Sequence, residues 1–291
     1  MPTIIEVALN GPWGRERQPG MPITVAECVA EGIEAVDRGA GILHVHAYDP
    51  DTGRQNDDWQ TYARIIEGIR ARHDVIVYPT IPLAGSGYAG GVIDAAARFA
   101  HVDALGRRGL LEMAAVDPGT VNFERTEASA PGFVYLNPPD HVGEGLRLSV
   151  LHGLWPGYAI YEPGFTRAGA VRAAQHPGLP MPLYRFMFSD GFAWGFPPRA
   201  RYLDAHLALL AEAAPNAVWM VAGLDVDISP LLPDAIARGG HLRVGLEDAP
   251  WGTTLTNAAW TDAAVAAIRA AGGSPATPRE ARGILAAAGR V

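Results

Sequence analysis

Short apolar runs alternate with longer stretches of helical periodicity from one end of this chain to the other. The runs at 4–9, 42–46, 75–80, 111–116, 158–161, 183–188, 218–223 and 241–247 have strand length and are rich in branched and aromatic residues. They predict eight strands. Helical spacing of apolar residues follows most of them, over 25–38, 59–72, 91–100, 142–154, 167–174, 199–214, 229–238 and 257–271. Thr24, the Asp57-Asp58 pair and Ser229-Pro230 stand where helix caps belong. Eight strand–helix units predict an α/β fold, a (β/α)8 TIM barrel, with residues 1–291 as a single domain carrying a short C-terminal extension. The competing arrangement is an open, doubly wound sheet, but no Gly-x-Gly-x-x-Gly turn follows the first run. Pro, Gly and Ser blur the pattern over 117–157.

The barrel frame gives meaning to the end of the second run, Leu43-His44-Val45-His46. Side chains two apart on a strand share a face, with Cα atoms about 7 Å apart. Leu43 and Val45 then face the helices, and both histidines face the axis at the strand end, where barrel active sites lie. Two imidazoles so placed can converge on one metal ion; the competing reading is a pair of polar residues on a sheet rim. In the last run, Leu242, Val244 and Leu246 share one face, while His241, Arg243, Gly245 and Glu247 share the other. Asp248 falls just beyond. Strand 8 closes against strand 1, which neighbours strand 2, so Glu247 comes close to the histidines. Two imidazoles and a carboxylate form a known catalytic zinc set. An internal Arg243–Glu247 ion pair is the structural alternative, and a poor source of stability. Asn10 and Trp13, in the loop after strand 1, are expected on the pocket rim as substrate contacts, or else belong to an ordinary connecting loop. The aromatic stretch from Phe188 to Phe196 suits a lid, a subunit interface or an acyl-pocket wall.

Composition narrows the chemistry. All 23 basic residues are arginine, so Schiff-base, pyridoxal-phosphate and lysine-base mechanisms are excluded. Electrophilic help must come from arginine, backbone dipoles or a metal. A net charge of −8 argues against nucleic acid as a partner, and no apolar stretch is long enough to span a bilayer. The first residues lack the basic-then-apolar order of a secretory signal. Cys28 is the single cysteine, which removes disulfide frameworks and thiolate metal sites. A cytoplasmic location is expected.

The segments Ile42 to Arg54, Val218 to Gly223 and Gly240 to Asp248 resemble the β-keto acid cleavage enzymes, whose prototype cleaves 3-keto-5-aminohexanoate. Asp117 to Phe123 and the tail from Pro275 to Leu285 are similar too, so the resemblance covers essentially the whole chain in order. It implies a zinc-dependent, usually oligomeric barrel, here a dimer or tetramer. The implied reaction joins a β-keto acid and acetyl-CoA to give acetoacetate and a new acyl-CoA. Carried over by position, His44, His46 and Glu247 are the implied zinc ligands. Asp248 is the implied general base, with Arg243 positioning it and holding its charged form. Thr80 and Ser86 are the implied substrate contacts.

The substrate side departs from the family pattern. Tyr48 stands where arginine is frequent, Ala249 where asparagine is common, and Ala114-Ala115 where a hydroxyl is frequent. The acidic residues usual on strand 5 are reduced to Glu162. Pro12-Trp13 occupies the place of an acidic residue that reads a substrate amine. A different and more apolar keto acid is expected. A zinc-dependent thioester or lactone hydrolase, and a catalytically inactive metal-binding barrel, remain as alternatives.

Overall fold

The computed structural model describes residues 2–83, 94–127 and 132–291. Eight parallel strands form one nearly closed sheet: β1 (Ile5–Ala8), β2 (Ile42–Val45), β3 (Ile76–Pro79), β4 (Met113–Ala115), β5 (Trp155–Ile160), β6 (Leu183–Phe188), β7 (Trp219–Gly223) and β8 (His241–Val244). Their order is β3-β2-β1-β8-β7-β6-β5-β4. The first and last strands of the barrel are thus neighbours, with Arg243 of β8 opposite Glu6 of β1. β3 and β4 run alongside each other at the seam. This is the (β/α)8 barrel that the apolar pattern predicts.

The strands are buried along their length because helices cover the outer face. Thr24 caps the helix Val25–Arg38 in a capping box with Glu27, and the Asp58 side chain accepts from the Thr61 N–H to start Trp59–Arg70. The Ser229-Pro230 signal opens a 3-10 turn, Ser229–Leu231, which leads into the helix Leu232–Ala237. Among the described residues, no helix is long and apolar enough to cross a membrane.

Two strand boundaries differ from expectation by three residues. β5 starts at Trp155, three residues early, and runs through Pro156 and Gly157, which disguise it in the sequence. β8 stops at Val244 instead of continuing to Glu247. Gly245 causes the stop: its φ of +128° is closed to ordinary residues, and a Cβ there would lie 2.3 Å from the Ala8 carbonyl oxygen. The chain turns instead of extending, with Ala249 N–H donating to the Gly245 carbonyl at 3.0 Å.

His206, on the helix Ala200–Ala213, is buried between rings, stacked 4.5 Å from Phe186 and edge-on to Phe188 and Phe196. Neither ring nitrogen has a hydrogen-bond partner among the described residues, and burial pushes its pKa down to about 4. The unfolded chain therefore takes up this proton at higher pH than the folded one. Stability is present above about pH 6.5 and is lost as pH falls toward 4, by about 2 kcal/mol at pH 5. His206→Phe is expected to remove that increment. Urea melts of both proteins at pH 7 and pH 5 check it, and equal pH dependence would refute it.

Candidate active site

The barrel interior holds a charged layer instead of the usual aliphatic one. Glu6 is fully buried and accepts from Tyr78 Oη at 2.6 Å, Arg243 Nη1 at 2.9 Å and Arg185 Nη1 at 3.0 Å. Arg185 also contacts the Tyr78 hydroxyl and donates to the Gly157 carbonyl at 3.0 Å. Gly157 makes this approach available, because a Cβ there would lie 3.1 Å from the Arg185 Nη2. Burial alone would raise the Glu6 pKa; the two guanidiniums and the tyrosine overcome it and hold the carboxyl below its ordinary range.

Above this layer, at the C-terminal ends of the strands, His44, His46 and Glu247 converge. Glu247 Oε2 lies 3.3 Å from His44 Nε2, and Oε1 lies 3.3 Å from His46 Nε2. One ligand atom from each residue falls within 4.8 Å of the others. Their positions have local causes. The Gly245 kink swings Glu247 toward β2, and Gly11 leaves room for it: a Cβ at Gly11 would lie 2.7 Å from Glu247 Cγ. Asn10 clamps the His46 backbone from both sides, accepting from its N–H at 2.7 Å and donating to its carbonyl at 2.9 Å.

The side chain of His46 is oriented by a residue that the sequence reading did not single out. A hairpin of Tyr48–Asp49 and Arg54–Gln55 returns the chain beneath the site. Gln55 Nε2 donates to Asp57 at 3.0 Å, which turns Gln55 Oε1 toward His46 Nδ1 at 2.9 Å. Nδ1 then carries the proton and Nε2 keeps its lone pair, as a metal ligand requires. Burial pushes the His44 pKa well below its ordinary value, so that ring is neutral. Burial favours the protonated form of Glu247, but the Arg243 guanidinium, foremost among the groups around it, opposes this and the carboxyl is held below the usual range. Arg243 Nη2 approaches Glu247 Oε2 at 2.8 Å, yet that oxygen is buried without an aligned hydrogen bond, and His44 Nδ1 is also unpartnered. A deprotonated carboxylate with an uncommitted oxygen, facing two imidazole nitrogens, fits a divalent ion.

Arg243 grips Asp248 with a two-pronged fork, Nε to Oδ2 and Nη2 to Oδ1, both at 2.9 Å. Burial dominates Asp248 and lifts its pKa to about 6, with Arg243 opposing the rise and Glu247 adding to it. Arg243 thus favours the charged form against burial, and the carboxyl is a base at neutral pH, but a less acidic one than a free aspartate.

A cavity opens over this cluster, lined by His44, His46, Thr80, Arg185, Arg243 and Glu247 at one end. Trp13 and a set of aromatic and aliphatic residues form the rest. Thr80 and Trp13 thus share the site with the histidines. Asp248 stands behind Arg243 and does not line the cavity. Asn10 does not line it either; its amide is spent on the His46 backbone and the Pro22 carbonyl. Ser86 lies outside the described residues. Glu6, Tyr78 and Arg185 were legible only as polar residues inside apolar runs, each without a partner nearby in sequence.

A family model described as beta-keto acid cleavage enzyme matches residues 2–286. The chain belongs to the β-keto acid cleavage enzyme family. This family member is similar to a 3-oxoadipate:acetyl-CoA acetyltransferase of Cupriavidus necator, at 28% identity over 85% of this chain and 80% of that one. It is also 28% identical to a 3-keto-5-aminohexanoate cleavage enzyme of Fusobacterium nucleatum, over 93% and 92%. A third relative, a 3-dehydrocarnitine:acetyl-CoA trimethylamine transferase of Rhizobium meliloti, is 26% identical over 90% and 88%. Among solved structures, the binary complex of ObcA with oxaloacetate shares the fold, with a TM-score of 0.72 at 15% identity, covering 92% of this chain and 67% of that one. This β-keto acid cleavage enzyme therefore falls among carbon–carbon bond-cleaving acyltransferases.

Proposed function

We propose that the chain is a zinc-dependent β-keto acid cleavage enzyme that uses acetyl-CoA as co-substrate. The reaction is R–CO–CH2–COO⁻ plus CH3–CO–SCoA giving R–CO–SCoA plus acetoacetate. The convergence of His44, His46 and Glu247, with 3.3 Å between each histidine and the carboxylate, carries the reading. Those three residues would hold the ion, and their donor set of two imidazoles and a carboxylate suits zinc. When bound, the ion supplies Lewis-acid stabilisation of charge developing on the keto oxygen.

The chain's own groups handle the rest. Asp248 takes a proton from C2 of the keto acid, and the Arg243 fork fixes the carboxylate that receives it. Asp248 is one side chain removed from the cavity wall, and catalytic contacts commonly tighten only once substrate is bound. The C2 carbon attacks the acetyl carbonyl and the CoA thiolate leaves. That thiolate attacks the original keto carbon, the C2–C3 bond breaks, and the proton returns to C2. Atoms balance without water, oxidant or amine, in keeping with a chain that has no lysine. Thr80 and Trp13 position the substrate from the cavity wall.

The test is to incubate zinc-loaded protein with acetyl-CoA and a panel of β-keto acids, following acetoacetate and the new acyl-CoA by mass spectrometry. Both products should form in equal amounts. Free CoA or acid without acetoacetate would identify a hydrolase instead.

A further inference from the structure

We infer that the substrate's R group is uncharged and apolar, a short alkyl or aryl tail, so that this chain excludes keto acids with a carboxylate or ammonium at the far end. The inference rests on the proposed β-keto acid reaction and concerns the end of the cavity away from the histidines. Among the described lining residues outside the His44–His46–Glu247 cluster, each charged group is already engaged by a neighbour. Arg243 is shared among Glu6, Glu247 and Asp248, and Arg185 between Glu6 and the Gly157 carbonyl. Asp117 accepts from Tyr135 Oη at 2.6 Å and from the Ala159 N–H at 3.0 Å. Beyond them the wall is Trp13, Leu83, Phe123, Phe133, Met187 and Leu224, which offers no charge.

The source of this wall is visible in the fold. After β4 the chain makes an antiparallel hairpin, Val121–Phe123 against Phe133–Tyr135, which lays Phe123 and Phe133 over the cavity, stacked at 5.0 Å. These residues join Met187 and Leu224 and the aromatic loop after β6, through Phe192 and Trp194, in one apolar cluster separate from the barrel core. Trp13 seals it, stacked on Phe192 with ring centres 6.1 Å apart.

An aromatic lining also raises the question of a quaternary ammonium, which cation–π cages recognise. The packing opposes it. Phe123 meets Tyr135 and Tyr161 at 83° and 69°, and those two tyrosines meet at 87°. These rings are spent on one another, and the cations that face the flanking Trp13 and Phe192 are the chain's own Arg17 and Arg125. Among the described lining residues, the carboxylate besides Glu247 is Asp117, and Tyr135 Oη and the Ala159 N–H already occupy it.

A carboxylate pushed against this wall would lose its hydration with nothing in return, at a cost on the order of a hundredfold or more in kcat/KM. Each methylene added to an alkyl tail should instead gain about fourfold until the wall is reached. The experiment compares 3-oxohexanoate, 3-oxoadipate, 5-amino-3-oxohexanoate and 3-dehydrocarnitine as substrates of the zinc-loaded enzyme with acetyl-CoA. Calorimetric titration of the same four acids without acetyl-CoA reads tail preference independently of turnover. The expected result is that 3-oxohexanoate binds and reacts at least about a hundredfold better than the other three. Phe133→Arg, a half-buried hairpin position, should narrow the gap toward 3-oxoadipate. Equal or better binding of any charged tail overturns the inference, as does failure of all four to bind. If 3-oxohexanoate binds selectively but yields no acetoacetate, the proposed reaction falls and the tail preference stands.

Discussion

His46→Ala is expected to strip the divalent ion from the protein and to lower turnover on the order of a thousandfold, the scale of a lost Lewis acid. The argument is geometric. His46 supplies one of three donor atoms, and its Nε2 faces Glu247 with no other partner close enough to replace it. The backbone at this position is held by Asn10 through two hydrogen bonds that alanine retains, so the loss should fall on the metal and not on the fold. Gln55→Ala supplies the graded comparison. It leaves all three ligands in place but frees the His46 ring, and should weaken metal affinity by about 10–100-fold. Metal content by elemental analysis, chelator competition and turnover measured on the same samples check both. Full metal occupancy in His46→Ala would overturn the assignment of the site.

Glu6→Ala is expected to destabilise the fold by about 3–5 kcal/mol, because two guanidiniums would remain buried without their common partner. Glu6 has no solvent exposure, and both Arg185 and Arg243 lean on its Oε1. Urea unfolding measures the loss. Replacing Arg185 and Arg243 by leucine as well should not restore stability, because Glu247 and Asp248 would then be buried without the Arg243 guanidinium. Equal stability of Glu6→Ala and wild type would mean that water or a shifted side chain satisfies the arginines.

The strand pattern carried the fold because every barrel strand is covered by helices and so reads as an apolar run. The places where it misjudged a boundary are places where a glycine serves the interior. Gly157 hides the start of β5 yet admits Arg185, and Gly245 ends β8 yet directs Glu247. Alternation along β8 put Arg243 and Glu247 on the inward face, and both line the cavity, but Glu247 reaches the histidines through a turn and not by strand periodicity. Asn10 was legible as a residue near the site and not as the clamp it is. Gln55 and the Glu6–Tyr78–Arg185 set were not legible, because their roles depend on partners brought together by the hairpin and by barrel closure.

The pairing of β8 with β1 joins Arg243 to Glu6 across 237 positions of the chain. His44 and His46 are synthesised well before Glu247, which follows His46 by 201 positions. Long-range parallel pairing of this kind is slow, since chain-closure entropy must be overcome before any contact rewards it. Until that pairing forms, the chain would hold only two of the three proposed donors. On the proposed reading, metal capture would then be coupled to the step that seals the barrel.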